Sequence, residues 1–146
     1  MTPDVYAACD GLLANNVLFQ KKPDEGRMKG IAFALDPDGY WIEVVSRNPA
    51  SVDKIKQKYT LAQTMFRVKD PVKSLYFYCD LLGMTLLRES HYSDFSLYFL
   101  AYVSEEEKRT LPDKTSPEAS EYIRCMYGPV IELTHNHGTE SNPDFK

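Results

Sequence analysis

Apolar residues recur at spacings of three and four in two stretches of the chain, at Val5, Ala8, Cys9 and Leu12 and again at Leu75, Tyr78, Cys79 and Leu82. That is the helical period, and it predicts one helix over each stretch. The two sets lie 70 residues apart at all four positions. A capping residue and a proline stand ahead of each, Thr2-Pro3 and Asp70-Pro71, and Gly83 follows the second. Three strand-like runs come after each helix, at about 17–22, 31–36 and 40–46 in the first half and about 84–90, 95–103 and 129–136 in the second.

This order predicts an internal repeat. Its last run carries Ile42-Glu43-Val44 in one copy and Ile131-Glu132-Leu133 in the other, 89 residues apart. The longer separation is assigned to a loop-like insertion within 104–128, rich in charge and proline. A further strand, Tyr59–Lys69, precedes the second helix. The expected organisation is α+β: residues 1–46 as helix and three strands, 47–58 as a polar linker, and 59–146 as strand, helix and three strands. In the first unit the counterpart of Gln63, shifted by 70, falls about seven residues upstream of Met1. The expectation is a sheet edge left unpaired there, to be filled by another segment or another chain.

Composition narrows the function. The 146 residues carry 17 basic and 21 acidic side chains, a net charge of −4, with 43% hydrophobic positions. Those values belong to a folded domain and argue against nucleic acid as a partner. Cys9, Cys79 and Cys125 are odd in number and have no C-x-x-C spacing, which disfavours a disulfide framework or a thiolate zinc site and suits a reducing cytoplasm. The longest apolar run, Leu97 to Val103, is too short to span a bilayer, so a soluble chain is expected.

The chemistry sits where polar residues interrupt strands. Alternation puts Gln63 on one face with Leu61, Met65 and Arg67, and assigns Ala62, Thr64, Phe66 and Val68 to the core side. Glu132 lies with Val130, Thr134 and Asn136, and Glu43 with Trp41 and Val45. A mid-strand carboxylate either faces solvent or has something to bind, because burial without a partner costs several kcal/mol, on the order of 2–7 even for neutral polar groups. Two glutamates in equivalent repeat positions, with a glutamine, suit oxygen coordination of a divalent cation completed by imidazole or water.

The stretches LAQTMFRVKDP, FYCDLLGMTLL, FSLYFLAY, VIELTHNHGTE, KKPDEGRMKGIAF and DPDGYWIEV together resemble the glyoxalase I (lactoylglutathione lyase) family of the vicinal oxygen chelate superfamily. The likeness covers nearly the whole chain, with the half that usually comes last placed first, as at the junction of two tandem copies. It implies paired βαβββ modules closing a cup around one metal, the first module lacking its first strand. It further implies metal-dependent isomerisation of the hemithioacetal of glutathione and methylglyoxal to S-lactoylglutathione, a methylglyoxal detoxification, with zinc or nickel as the metal.

By the same resemblance Gln63, Glu132 and Glu43 are metal ligands, and Glu43 is also the catalytic base. Arg67 and Asn136 contact the glutathione carboxylates, and Arg27 and Met28 belong to a loop that closes over glutathione. The family's fourth ligand, a histidine on the strand ahead of the first helix, has no counterpart here. The alternative is therefore a module that binds metal or a glutathione conjugate without turnover. His137 stands where the family has tryptophan. His135 is read as a core-side histidine, His91 as a loop residue, and Cys9 and Cys79 as core. A ring-cleaving dioxygenase needs two histidines and one carboxylate for iron, which Gln63 at a ligand position opposes.

Overall fold

The computed structural model describes residues 1–46, 58–126 and 128–145, so most of the expected linker lies outside them. The chain divides into two units, Met1–Leu61 and Ala62–Lys146. The division falls three residues beyond the expected linker. Met1 is the reason: its amino group donates to the Thr60 carbonyl at 2.8 Å, and Thr60 N donates back at 3.0 Å, drawing residues 58–61 into the first unit.

Unit 1 holds helix α1 (Val5–Ala14) and strands β1 (Phe19–Lys21), β2 (Ala32–Leu35) and β3 (Trp41–Val44), antiparallel in that order. Val5, Ala8 and Cys9 of α1 are buried against Ala32, Ala34 and Val44, with Leu12, Val17 and Phe19 around them. The cap of α1 is Asp4 rather than Thr2: its carboxylate accepts from Tyr6 N and Ala7 N. Thr2 instead bridges Ser46 in parallel, and its N–H donates to Val45 O at 2.9 Å.

Unit 2 begins with β4 (Gln63–Arg67), then α2 (Pro71–Leu75) running into a π-helical turn over Tyr76–Leu81, then β5 (Thr85–His91) and β6 (Phe95–Ala101). Helices α3 (Glu105–Lys108) and α4 (Pro117–Cys125) follow, then β7 (Val130–Asn136) and a short 3₁₀ turn, Thr139–Ser141. The sheet order is β4-β7-β6-β5, with β4 parallel to β7 and the rest antiparallel, so unit 2 is a complete βαβββ module. Unit 1 has the helix and three strands of the same pattern. The Thr2–Ser46 bridge stands where the first strand would pair.

The repeat is real, but its offset is 66 rather than 70. Asp4 and Asp70 cap their helices alike, and Thr2 N on Val45 O matches Val68 N on Thr134 O, both at 2.9 Å. Beyond the helices the offset is 67: left-handed Asn16 matches Gly83, and the same bulge recurs between Phe19 and Lys21 and between Leu86 and Arg88. The wider π turn accounts for the added residue. An offset of 70 errs by four residues, about one helical turn, and so keeps every apolar residue on the same face.

One sheet face of unit 2 packs on α2 and the π turn through Tyr98, Leu100, Leu133 and Met84, with Val68, Leu75, Tyr78 and Cys79 partly buried there. Phe66, assigned to that core face, is 45% exposed, because β4 is an edge strand with β7 alone beside it. The opposite face is covered at one end by the segment expected to be a loop. That segment is helical: Ser104 and Glu107 form a capping box, Ser116 caps α4, and Ile123 and Ala119 are buried, Ile123 against Leu87, Phe99 and Val130. Among the described residues no helix is long and apolar enough to cross a membrane.

Leu133 is fully buried in the α2-facing core, so Leu133→Ala is expected to cost about 2–5 kcal/mol in urea unfolding. Val72→Ala, at a position 76% exposed, should stay within about 0.5 kcal/mol of the unaltered chain.

Candidate metal centre and anion-recognition pair

The parallel register of β4 on β7 sets the site in unit 2. Gln63 pairs with Val130, Met65 with Glu132 and Arg67 with Thr134, so these residues share one face, the one turned away from α2. Helix α4 covers the Val130 end of it, Ile123 packing with Val130. Gln63 and Glu132 are half-buried and touch, Gln63 Nε2 donating to Glu132 Oε2. Thr134 Oγ1 donates to the other carboxylate oxygen at 3.4 Å. With its amide turned about, Gln63 presents Oε1 to the same point, so the two side chains fit a divalent cation as neighbouring oxygen donors.

Four residues further along each strand, the same face carries Arg67 and Asn136. Arg67 Nη1 donates to Asn136 Oδ1 at 2.8 Å. This bond fixes the amide so that its NH₂ points away from the guanidinium. The pair therefore offers only donors outward, four from the arginine and two from the amide, which suits a carboxylate.

Unit 1 repeats the arrangement around Glu43. Phe33 pairs with both Glu43 and Lys21, as Phe99 pairs with both Glu132 and Arg88. Glu43 shares its face with Phe33 and Trp41, whose rings are 5.5 Å apart, and that face is turned away from α1. Burial pushes the Glu43 carboxyl up, and the positive charge of the chain's amino terminus offsets part of the rise. Arg27 and Met28 lie in the 22–31 connection between β1 and β2, both exposed. Lys21 braces that connection by donating to Met28 O at 2.8 Å.

Of the expected site residues, the structure brings together Gln63 with Glu132 and Arg67 with Asn136 in unit 2. Glu43, Arg27 and Met28 belong to unit 1. Among the described residues no group of three or more His, Cys, Asp or Glu gathers as a metal site. His91 ends β5 rather than lying in a loop. Its Nδ1 is 3.0 Å from the buried Ser96 hydroxyl, whose other side faces His137 Nε2 at 2.9 Å. His135 is buried on the α2-facing side of β7, in line with a core-side histidine. Sequence reasoning missed its partner Glu140, five residues on in the THNHGTE run, where a glycine turn after a strand was the available signal.

The Glyoxalase/Bleomycin resistance protein/Dioxygenase superfamily model matches residues 2–44 and 60–146. The chain belongs to this superfamily. It is 41% identical to glyoxalase I of Saccharomyces cerevisiae over 97% of its own length and 40% of that protein's. It is 38% identical to lactoylglutathione lyase of Schizosaccharomyces pombe over 94% of this chain and 40% of the relative. The crystal structure of glyoxalase I from Zea mays superposes with a TM-score of 0.63 at 31% identity, covering 93% of this chain and 40% of that one. The chain thus spans about two fifths of the length of these relatives, and its paired modules are of the glyoxalase type.

The raised Glu43 carboxyl has a thermodynamic signature. A group whose folded pKa is raised stabilises the fold below its unfolded pKa and loses that contribution as pH rises through the folded value. Glu43→Gln has no such loss. In EDTA, its stability relative to the unaltered chain should rise as the pH is raised from the ordinary carboxylate range, about pH 4, towards neutral. A difference that stays constant across that range in urea titrations would contradict the burial argument.

Proposed function

We propose that this chain, acting within a protein of the length of its relatives, isomerises the hemithioacetal of glutathione and methylglyoxal to S-lactoylglutathione. One observation carries the reading. Gln63 and Glu132 meet on the α2-averted face of unit 2, while Glu43 holds the equivalent repeat position on the α1-averted face of unit 1. In this reading the three residues hold one divalent cation, zinc in the first instance and nickel as the alternative. When bound, the cation supplies a Lewis acid for the substrate oxygens that gain negative charge.

Glu43 then takes the proton from C1 of the hemithioacetal and returns it to C2. As the C1 hydroxyl proton passes to the C2 oxygen, C1 becomes the thioester carbonyl and C2 the hydroxyl-bearing carbon, with no net gain or loss of atoms or electrons. Arg67 and Asn136 bind the glutathione carboxylates, and Arg27 and Met28 close over the arm. Binding energy far from the reacting carbons is thereby spent on orienting them. The three thiols are free, which suits a cytoplasmic setting.

The second reading is a module that binds metal or a glutathione conjugate without turnover. In it Gln63 and Glu132 hold the cation and Glu43 moves no proton. Turnover decides between the two. Hemithioacetal conversion followed with zinc or nickel is expected to be abolished by EDTA and to fall about 10²–10⁴-fold in Glu43→Gln. Binding of metal and S-methylglutathione with no conversion under either metal would instead establish the binding module.

A further inference from the structure

Asn136 is the last residue of β7, and the chain turns back at once. Gly138 takes a left-handed φ of 93°, and the short 3₁₀ turn Thr139–Ser141 follows. Two side chains of this turn, Thr139 and Glu140, fasten it to the sheet. Thr139 Oγ1 is 2.8 Å from Asn136 O and 2.9 Å from Lys69 O, so one hydroxyl ties the end of β7 to the chain leaving β4. Glu140 Oε2 accepts from Gly138 N at 3.1 Å and lies 2.8 Å from His135 Nε2. A carboxylate accepts only, so the imidazole donates.

His135 is the residue that gives this anchor its rigidity. It is buried on the face opposite Asn136, fixed by the sheet register between Ser96 on β6 and the α2-facing core. The bonded groups flank the Arg67–Asn136 pair on both strands: Lys69 is two residues past Arg67, and His135 is one residue before Asn136. They also shape its surroundings, since Glu140 lines a cavity of about 340 Å³ together with Arg67, Lys69, Asp70, Lys73 and Phe145. The Glu140 carboxyl is held below the usual carboxylate range by its own backbone N–H, the His135 imidazole and the Gly138 N–H. It therefore stays ionised, and acceptor-only, at neutral pH.

We propose that Thr139, Glu140 and His135 form a latch that positions Arg67 and Asn136 for an anionic substrate arm, making His135 and Glu140 positioning residues of the site. Its substrate, the glutathione carboxylate, rests on the function proposed above. Without the latch, Arg67 sits at the end of an edge strand and Asn136 at the end of β7 where the chain turns away, and both side chains are free to drift. Misplacement of about 1 Å is enough to cost up to about 10²-fold.

The test uses this chain with S-methylglutathione as probe, together with NMR of the Asn136 side-chain amide in ligand-free protein. Glu140→Ala and His135→Phe are expected to weaken binding about tenfold or more and to shift the Asn136 amide signals. Zinc affinity should stay unchanged, and Glu140→Gln, which keeps an acceptor, should restore most of the binding. Glu140→Ala alters an exposed position, so its result stands even if His135→Phe fails to fold. Equal affinity in all chains, or unmoved Asn136 signals in Glu140→Ala, overturns the latch. Absence of binding by the unaltered chain overturns the glutathione reading instead, and the Asn136 signals still decide the latch.

Discussion

The parallel pairing of β4 with β7 is the constraint on which the rest depends. Strand side chains alternate, so a one-residue slip would send Gln63 to the helix side and leave Glu132 facing it across the sheet. The register is held at both ends. Val130 N donates to Ala62 O at one end and Val68 N to Thr134 O at the other, each at 2.9 Å. With that register, a glutamine and a glutamate meet at mid-sheet, and an arginine and an asparagine meet four residues along. Neither pair is adjacent in sequence.

The same logic applies within unit 1. Both units bury their helix on one face and place a glutamate on the other, beside a phenylalanine that bridges to a basic residue one strand further out. In unit 2 that basic residue lies against the ring, with the Arg88 guanidinium 5.4 Å from the Phe99 centroid. A duplicated backbone thus yields two carboxylates at matched positions. Their chemistry diverges through what surrounds them: Glu132 has Gln63 and Thr134, while Glu43 lies beside an aromatic pair and is raised by burial.

Much of this was legible from the residues. The helix–strand–strand–strand order, the Ile-Glu-Val and Ile-Glu-Leu strands, the face shared by Gln63 and Arg67, and the core positions of Cys9 and Cys79 all follow from period and alternation. The repeat offset was misread because helical periodicity cannot distinguish an alignment from one shifted by a turn. The π turn, which hydrogen bonds such as Leu82 N to Phe77 O define, leaves no hydrophobic signature. The cap at Asp4 was obscured by Thr2-Pro3 just ahead of it. Helices α3 and α4 were hidden by their charge, although Ser104 with Glu107 and Ser116 with Pro117 are readable start signals. The Glu140 latch was not legible, because it depends on a turn that folds a carboxylate back onto a residue of the preceding strand.

The proposal on which the functional reading rests is that Gln63, Glu132 and Glu43 serve a single cation. Zinc titration of the metal-free chain by calorimetry, with the three single variants Gln63→Ala, Glu132→Gln and Glu43→Gln, tests it most directly. The account predicts one zinc per chain and an affinity loss of about tenfold or more in each variant. Retention of full affinity in the Glu43 variant, or independent sites in the two units, would contradict it.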